Sequence, residues 1–241
     1  MKMIGIVGGL SPESSALYYR VMNRLANARR GGSHSARILL DSLDYHDFAE
    51  AQERGDWDGV VAMLSASARR LEAAGAELIA IACNTAHRDF GAIERAIACP
   101  LLHVADASGA ALRAADRKRV ALIGTRYVMD GGFIAERLAD RHALDVLLPT
   151  PSERERIHRI ILDELVAGAV RPASRAFLAD LARSFATRGA DALLLACTEL
   201  GLLFPELDAG DGAIEATDEL ALPVYDTARL HARAAVEMAL A

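Results

Sequence analysis

The chain has 241 residues, 52% apolar and 25% charged, enough to bury a core as one domain or two small ones. Its net charge of −6, with no basic run longer than Arg117-Lys118-Arg119, argues against nucleic acid as a partner. No apolar run is long enough to span a bilayer. Ile4 to Leu10 holds three glycines and is followed at once by Ser11-Pro12-Glu13, so it reads as a strand and turn rather than a signal peptide. These features predict a cytoplasmic protein without a membrane partner. Three cysteines (Cys83, Cys99 and Cys197) are not a disulfide framework in such a chain. The only lysines are Lys2, at the terminus, and Lys118, between two arginines. A pyridoxal-phosphate enzyme needs a lysine for its Schiff base, and a Walker-type loop needs Gly-Lys. Neither lysine is placed for the first task, and the second dipeptide is absent.

In chain order, Met3 to Val7 is an apolar strand ending in Gly8-Gly9. Ser11 as N-cap and Pro12 as first helical residue open a helix whose buried face is Tyr18, Val21, Met22 and Leu25. Ala36 to Leu40 is a second strand, and Asp41 to Glu53 reads as a polar loop. A helix from Trp57 to Ala74 stops at Gly75. A strand follows from Glu77 to Ala82, then a helix from His87 to Ala98, a short strand from Pro100 to Val104 and a small helix from Ala107 to Ala115. The pattern then restarts: a strand from Val120 to Gly124-Thr125, a helix through Phe133, Ile134 and Leu138, and a strand from Asp145 to Leu148. Helices from Glu153 to Ala167 and from Ser174 to Arg188 precede a strand from Asp191 to Ala196. A loop from Gly201 to Asp218, a strand from Leu222 to Tyr225 and a helix from Thr227 complete the chain. Alternating strands and helices predict parallel sheets with βαβ connections.

Two stretches repeat. Gly75-Ala-Glu-Leu-Ile-Ala-Ile-Ala-Cys83-Asn84-Thr85 matches Gly189-Ala-Asp-Ala-Leu-Leu-Leu-Ala-Cys197-Thr198-Glu199, with the cysteines 114 positions apart. Ile4-Gly-Ile-Val-Gly8-Gly9 is echoed by Val120-Ala-Leu-Ile-Gly124-Thr125 at an offset of 116. The agreement predicts an α/β fold of two pseudo-symmetric lobes, each a mostly parallel sheet flanked by helices. Ligands bind beyond the carboxyl ends of strands in such sheets. If the lobes face each other, all four strand ends converge on an active site in the cleft between them.

Two facing thiols suit a carbon acid. One, as thiolate, takes a proton from one face of the carbon, and the other returns a proton to the opposite face. This inverts the centre with no cofactor, and a free thiol pKa of about 8.5 is close enough to neutrality for general-base work. Asn84, Thr85 and Thr198 would donate to a carboxylate or a developing enediolate, and Glu199 would position a substrate ammonium or hydrogen-bond a neighbouring group. Ser11-Pro12 at a helix start can offer N–H groups to an anion. Cys99 has no echo and reads as structural. His87, four residues past Cys83, reads as packing or capping and as tuning Cys83. No partner ligands stand at metal-like spacing near Cys197, so no metal is expected. Gly5-Ile-Val-Gly8-Gly9 lacks dinucleotide-loop spacing.

Gly8-Gly9-Leu10-Ser11-Pro12-Glu13-Ser14, Ala82-Cys83-Asn84-Thr85-Ala86-His87, Ile123-Gly124-Thr125 and Ala196-Cys197-Thr198-Glu199 resemble the aspartate/glutamate racemase family across essentially the whole chain. The resemblance implies a cofactor-independent amino-acid racemase with Cys83 and Cys197 as its catalytic bases. It implies that Asn84, Thr85, Thr125 and Thr198 hold the α-carboxylate and nearby groups, and that Gln52 contacts substrate from a loop. It implies a homodimer, and a last helix that returns to a discontinuous first lobe: residues 1–115 plus 212–241, with 116–211 as the second lobe. Members specific for acidic substrates carry a lysine in the segment equivalent to Glu164-Leu-Val-Ala-Gly168. This chain has Val166 and Ala167 there, with Arg171 or Arg175 as substitute cations of different geometry. An apolar Val166 points to neutral or longer side chains and a broad-specificity racemase. The rivals are a hydantoin racemase, a substituted-malonate decarboxylase or a maleate isomerase on the same scaffold, a non-catalytic amino-acid or dicarboxylate binding protein, and a metal or redox protein built on the cysteines.

Overall fold

Strand β1 (Ile4–Gly8) is apolar throughout and buried on both faces, as a central parallel strand must be. In a computed structural model describing residues 1–208, 212–217 and 220–241, the chain forms two compact units. The first is Met1–Val104 with His231–Ala241, and the second is Ala105–Leu230.

In the first unit β1 pairs in parallel with β2 (Ile38–Ser42) and β3 (Leu78–Ile81), and β3 pairs with β4 (Leu101–Leu102), giving the order β2-β1-β3-β4. Helix α1 (Pro12–Arg30) starts as its sequence dictates. Pro12 is at its first position, Ser11 Oγ accepts the Ser14 N–H, Glu13 sits in the first turn, and Arg29 and Arg30 sit in the last. It buries Leu17, Tyr18, Val21, Met22 and Leu25. Helix α3 (Trp57–Ala73) is capped by Asp56, whose Oδ1 accepts the Gly59 N–H, and packs Val60, Leu64, Ala68 and Leu71 with Val7, Ile79 and Ile81.

The second unit repeats the order as β6-β5-β7-β9, with β8 added at the edge. Its strands are β5 (Arg119–Gly124), β6 (Asp145–Leu147), β7 (Ala192–Ala196), β8 (Ala213–Ile214) and β9 (Val224–Asp226). All pairings are parallel except β8 with β9. Its helices are α5 (Val104–Ala114), α6 (Arg126–Gly131), α7 (Phe133–His142), α8 (Pro151–Arg159), α9 (Pro172–Thr187) and the start of α10 (Thr227–Leu240), which continues into the first unit. A capping box between Thr150 and Glu153 opens α8.

The structure departs from the sequence reading in four places. The stretch expected as a polar loop contains helix α2 (Tyr45–Glu53), because Asp44 Oδ1 caps the His46 N–H and Phe48, Ala51 and Gln52 turn inward. The helix expected from His87 to Ala98 is a 3₁₀ turn (Thr85–His87) and a short α4 (Phe90–Glu94), separated where Asp89 leaves helical geometry at φ −109°, ψ 36°. The helix expected to end at Ala167 finishes as a π turn (Ile160–Glu164) and a 3₁₀ turn (Leu165–Ala167). The loop expected from Gly201 to Asp218 holds 3₁₀ turns (Thr198–Leu203 and Pro205–Asp208) and β8; residues 209–211 and 218 lie outside the described residues.

The lobe boundaries also shift. Residues 213–226 belong to the second unit because β9 hydrogen-bonds β7 from Leu193↔Val224 to Leu195↔Asp226. Helix α5 joins it because Arg137 on α7 makes two 2.7 Å bonds to the Asp106 carboxylate and His142 packs under Gly109. Helix α10 is divided between the units, with His231–Ala241 in the first.

Two predictions follow the packing. Gly9 has φ +76°, and an added Cβ would stand 2.0 Å from the Leu43 carbonyl oxygen. Gly32, at φ +57°, has nothing within 4 Å. Urea unfolding should show Gly32→Ala costing about 1 kcal/mol and Gly9→Ala at least about 3 kcal/mol, since only the latter forces backbone apart. For Asp106, burial raises the carboxyl pKa, but the Arg137 bonds and charge, then His142, hold it below its usual value. A lowered native pKa stabilises the fold above the unfolded carboxylate pKa of about 3.9 and loses that contribution as pH falls through the native one. Asp106→Asn should therefore cost about 1 kcal/mol at pH 7 for this partly exposed pair, with the gap to wild type closing below about pH 4 in urea titrations.

Candidate active site

The two sheets deliver their cysteines from the same rung. Val7 pairs with Ile81, the Ala82 N–H donates to the Val7 carbonyl at 2.9 Å, and Cys83 follows. In the second unit Ile123 pairs with Leu195, Gly124 pairs with Ala196, and Cys197 follows. Each thiol thus leaves the carboxyl end of the strand beside the Gly-ending first strand of its sheet. None of the three cysteines forms a disulfide.

In the first unit Cys83 is half-buried, and Asn84 and Thr85 after it are buried as the chain turns into its 3₁₀ segment. Ser11 is buried at the α1 N-cap. Two serines missed by the sequence reading as structural parts of the site tie this turn to the strand ends. Ser15 Oγ accepts the Gly9 N–H at 2.8 Å, and Ser14 Oγ donates to the Ala82 carbonyl at 2.8 Å. Gln52 is buried on α2 rather than on a loop, and its Nε2 has no hydrogen-bond partner among the described residues. Asn84 Oδ1 is in the same condition. A buried polar atom without a partner costs about 1–3 kcal/mol, so native proteins keep few of them, and those they keep call for an explanation.

In the second unit Cys197 is buried in extended geometry. Its Sγ–H donates to Glu199 Oε2 at 3.1 Å, and Thr198 Oγ1 donates to the same oxygen at 2.6 Å. These three predicted residues form one hydrogen-bonded group. Thr125 stands half-buried at the end of β5, and its carbonyl accepts the Val128 and Met129 N–H groups at 3.0 Å.

Three further groups support this end of the sheet. His158 on α8 accepts the Arg126 N–H through Nδ1 at 3.4 Å, and burial, with the Arg126 charge, keeps its pKa below the usual imidazole value. Thr227 Oγ1 donates to the Leu195 carbonyl at 2.8 Å. Gly201 lies directly on the buried Asp226–Arg229 pair, in which Nη1 meets Oδ2 at 2.8 Å and the Arg229 N–H meets Oδ1 at 3.0 Å. Burial pushes the Asp226 carboxyl pKa up, while the Arg229 guanidinium and N–H pull it down. Asp226 and Thr227 end a strand in a polar pair, as Cys197 and Thr198 do, and that signal was available. Nothing local marks His158.

Cys99 is not equivalent to the other two. Its N–H and that of Ala98 donate to Glu72 Oε1 at 2.7 Å, and burial, followed by the Glu72 charge, pushes its thiol up to about 11. It stays neutral, as a structural residue would. Val166 is 39% exposed on its 3₁₀ turn. The candidate substitute cations are occupied: Arg171 lies 3.7 Å from Glu164, and Arg175 donates to the Leu203 carbonyl and to Glu206, each at 2.8 Å. Among the described residues no helix is long and apolar enough to cross a membrane, and no three His, Cys, Asp or Glu side chains cluster as a metal site.

Comparison with known proteins follows the same lines. The chain is similar over its full length, and over all of the other chain, to a candidate Asp/Glu racemase from Yersinia pestis (36% identity, TM-score 0.89). It is similar in the same complete way to an aspartate racemase homologue from Pyrococcus horikoshii OT3 (29% identity, TM-score 0.84). It also matches the broad specificity amino-acid racemase RacX of Bacillus subtilis (strain 168), with 27% identity over 107 residues. That match spans 43% of this chain and less than half, 46%, of RacX. Residues 7–235 match the profile of the Asp/Glu/hydantoin racemase family, so the chain belongs to that family of isomerases.

Proposed function

We propose that the protein interconverts L- and D-amino acids by moving a proton at Cα between Cys83 and Cys197, without pyridoxal phosphate. The observation that carries this reading is the identical register from which the two sheets present their cysteines. In the forward step one thiolate takes the Cα proton, the Cα–H electrons pass into the substrate carboxylate as an enediolate, and the other thiol protonates the opposite face. The products are the inverted amino acid and the same two sulfurs with their proton exchanged. Cys197 places its sulfur 3.1 Å from Glu199 Oε2, and the two cysteines exchange the roles of acid and base between the two enantiomers. The Cys197 thiol and the Thr198 hydroxyl share Glu199 Oε2, which holds that thiol in place between turnovers.

The unpartnered atoms complement an amino-acid zwitterion. Gln52 Nε2 is a donor suited to a carboxylate, and Asn84 Oδ1 is an acceptor suited to an ammonium. Thr85, Thr125 and Ser11 add hydroxyls for the developing enediolate, while the Thr198 hydroxyl is given to Glu199. Two facts about lysine support independence from pyridoxal phosphate. Lys2 precedes β1 at the end of the strand opposite Gly8, and Lys118 precedes β5 at the end opposite Gly124, with Nζ 3.6 Å from Asp116. Breadth of substrate rests on Val166 in place of a lysine and on the engagement of Arg171 and Arg175 elsewhere. RacX, the relative described as broad in specificity, favours the same reading.

Cys83→Ser and Cys197→Ser should each lower kcat about 10³-fold, the scale of a lost general acid or base, with far-ultraviolet circular dichroism unchanged. Wild type should incorporate solvent deuterium at Cα during turnover. Full activity in both serine variants, or no deuterium uptake, would sink the mechanism. Chiral chromatography across the proteinogenic amino acids should find turnover of neutral substrates. Val166→Lys should raise kcat/KM for aspartate relative to alanine by about tenfold, the worth of one charge-assisted hydrogen bond; an unchanged ratio would mean that this position does not set breadth.

A further inference from the structure

Behind Cys83 the first unit buries three histidines that the proton transfer does not use. His87 is 1% exposed, His103 5% and His231 0%. Burying one imidazole is ordinary; where three are buried together, the partners of their nitrogens fix how each ring stands. His231 Nε2 lies 3.2 Å from the Leu102 carbonyl and its Nδ1 lies 2.9 Å from the Tyr18 hydroxyl. A carbonyl only accepts, so Nε2 carries the proton and, in the neutral ring, Tyr18 donates to Nδ1. The same logic applies to His87, whose Nδ1 lies 2.8 Å from the Cys83 carbonyl oxygen and must be the donor.

The His87 ring is held from several sides. Phe90 stacks on it at 6.0 Å with planes 9° apart, His103 tilts against it at 4.9 Å, and His231 meets it edge-on at 5.5 Å. Rotating the ring away from Cys83 would disturb all three neighbours. One residue earlier, the Ala82 carbonyl is held by the Ser14 hydroxyl. The last strand-ladder bond here is that of the Ala82 N–H to Val7. Past that point, two consecutive carbonyls are fixed by side chains, one in each of the peptides that flank the Cys83 Cα.

We infer that His87 is a positioning residue for Cys83, its Nδ1–H clamping the Cys83 carbonyl so that the thiol leaves the strand end in one orientation. Ser14 acts with it on the preceding carbonyl. The inference rests on the two-thiol reading for its catalytic consequence, though not for its geometry. Proton transfer depends steeply on alignment, and a misplacement of about 1 Å can cost about a hundredfold in rate.

The test compares His87→Leu, which removes the donor at similar volume, with His87→Asn, whose amide N–H can occupy the position of Nδ1. Two readouts are taken: steady-state kinetics, and the iodoacetamide alkylation rates of Cys83 and Cys197 measured separately by peptide mass spectrometry. His87→Leu should lower kcat by roughly ten- to a hundredfold, with KM within about twofold. It should also change the Cys83 alkylation rate at least about threefold and leave that of Cys197 unchanged. His87→Asn should recover most of both. If His87→Leu fails to fold, Ser14→Ala carries the test, with the same pattern at smaller amplitude. The inference is overturned if His87→Leu matches wild type, if His87→Asn is as impaired as His87→Leu, or if both cysteines change together as in general loosening. Should wild type racemise nothing while Cys83 alkylation still responds to His87→Leu and recovers in His87→Asn, the racemase reading fails and the positioning stands. Should wild type racemise and His87→Leu be silent in both readouts, the reverse holds.

Discussion

Parallel hydrogen-bond register is the constraint on which the rest of this protein depends. A ladder that pairs Val7 with Ile81 and Ile123 with Leu195 leaves no freedom over which residue emerges first beyond the sheet. Side chains alternate along a strand, so a slip by one residue would turn each cysteine to the other face. The register is held by buried apolar residues on both faces, Leu78 to Ile81 in one sheet and Ala192 to Ala196 in the other. Those residues contribute stability through burial. Their chemical consequence is to deliver a thiol at a defined point in each unit.

Past the last ladder bond, the backbone no longer holds itself, and side chains take over. The first unit uses Ser14 on the Ala82 carbonyl and His87 on the Cys83 carbonyl. The second holds the Leu195 carbonyl, still within β7, with Thr227 just past the end of β9, and seats Gly201 beyond the strand on the Asp226–Arg229 pair. The repeated strands therefore end in differently built supports. A hydroxyl or imidazole donor can satisfy a carbonyl from any element that passes nearby, so this part of the design need not repeat with the strands.

The thiols themselves are differentiated by surroundings rather than by chain position. Cys197 is buried and donates to Glu199, Cys83 is half-buried above an imidazole cluster, and Cys99 is held neutral by burial and by Glu72. Of the three, only Cys99 lacks a matching stretch elsewhere in the chain, and it is also the one whose surroundings suit a structural part.

The alternation of strands and helices, the paired cysteine strands, the cap at Ser11, and the Cys197-Thr198-Glu199 motif were legible in the sequence. Each depends on residues a few positions apart, where periodicity and hydrogen-bond chemistry act directly. Helix α2 was missed because a polar surface helix with a short buried face resembles a loop in composition. The placement of 213–226 in the second sheet, the meeting of His87, His103 and His231, and the seating of Gly201 on Asp226 and Arg229 were decided only by tertiary structure. Those contacts join residues far apart in the chain, and their partners are chosen by which strand edge is open and which side chains the core excludes from water. The sequence determined which atoms each strand end would carry, and the folded sheets decided what would stand behind them.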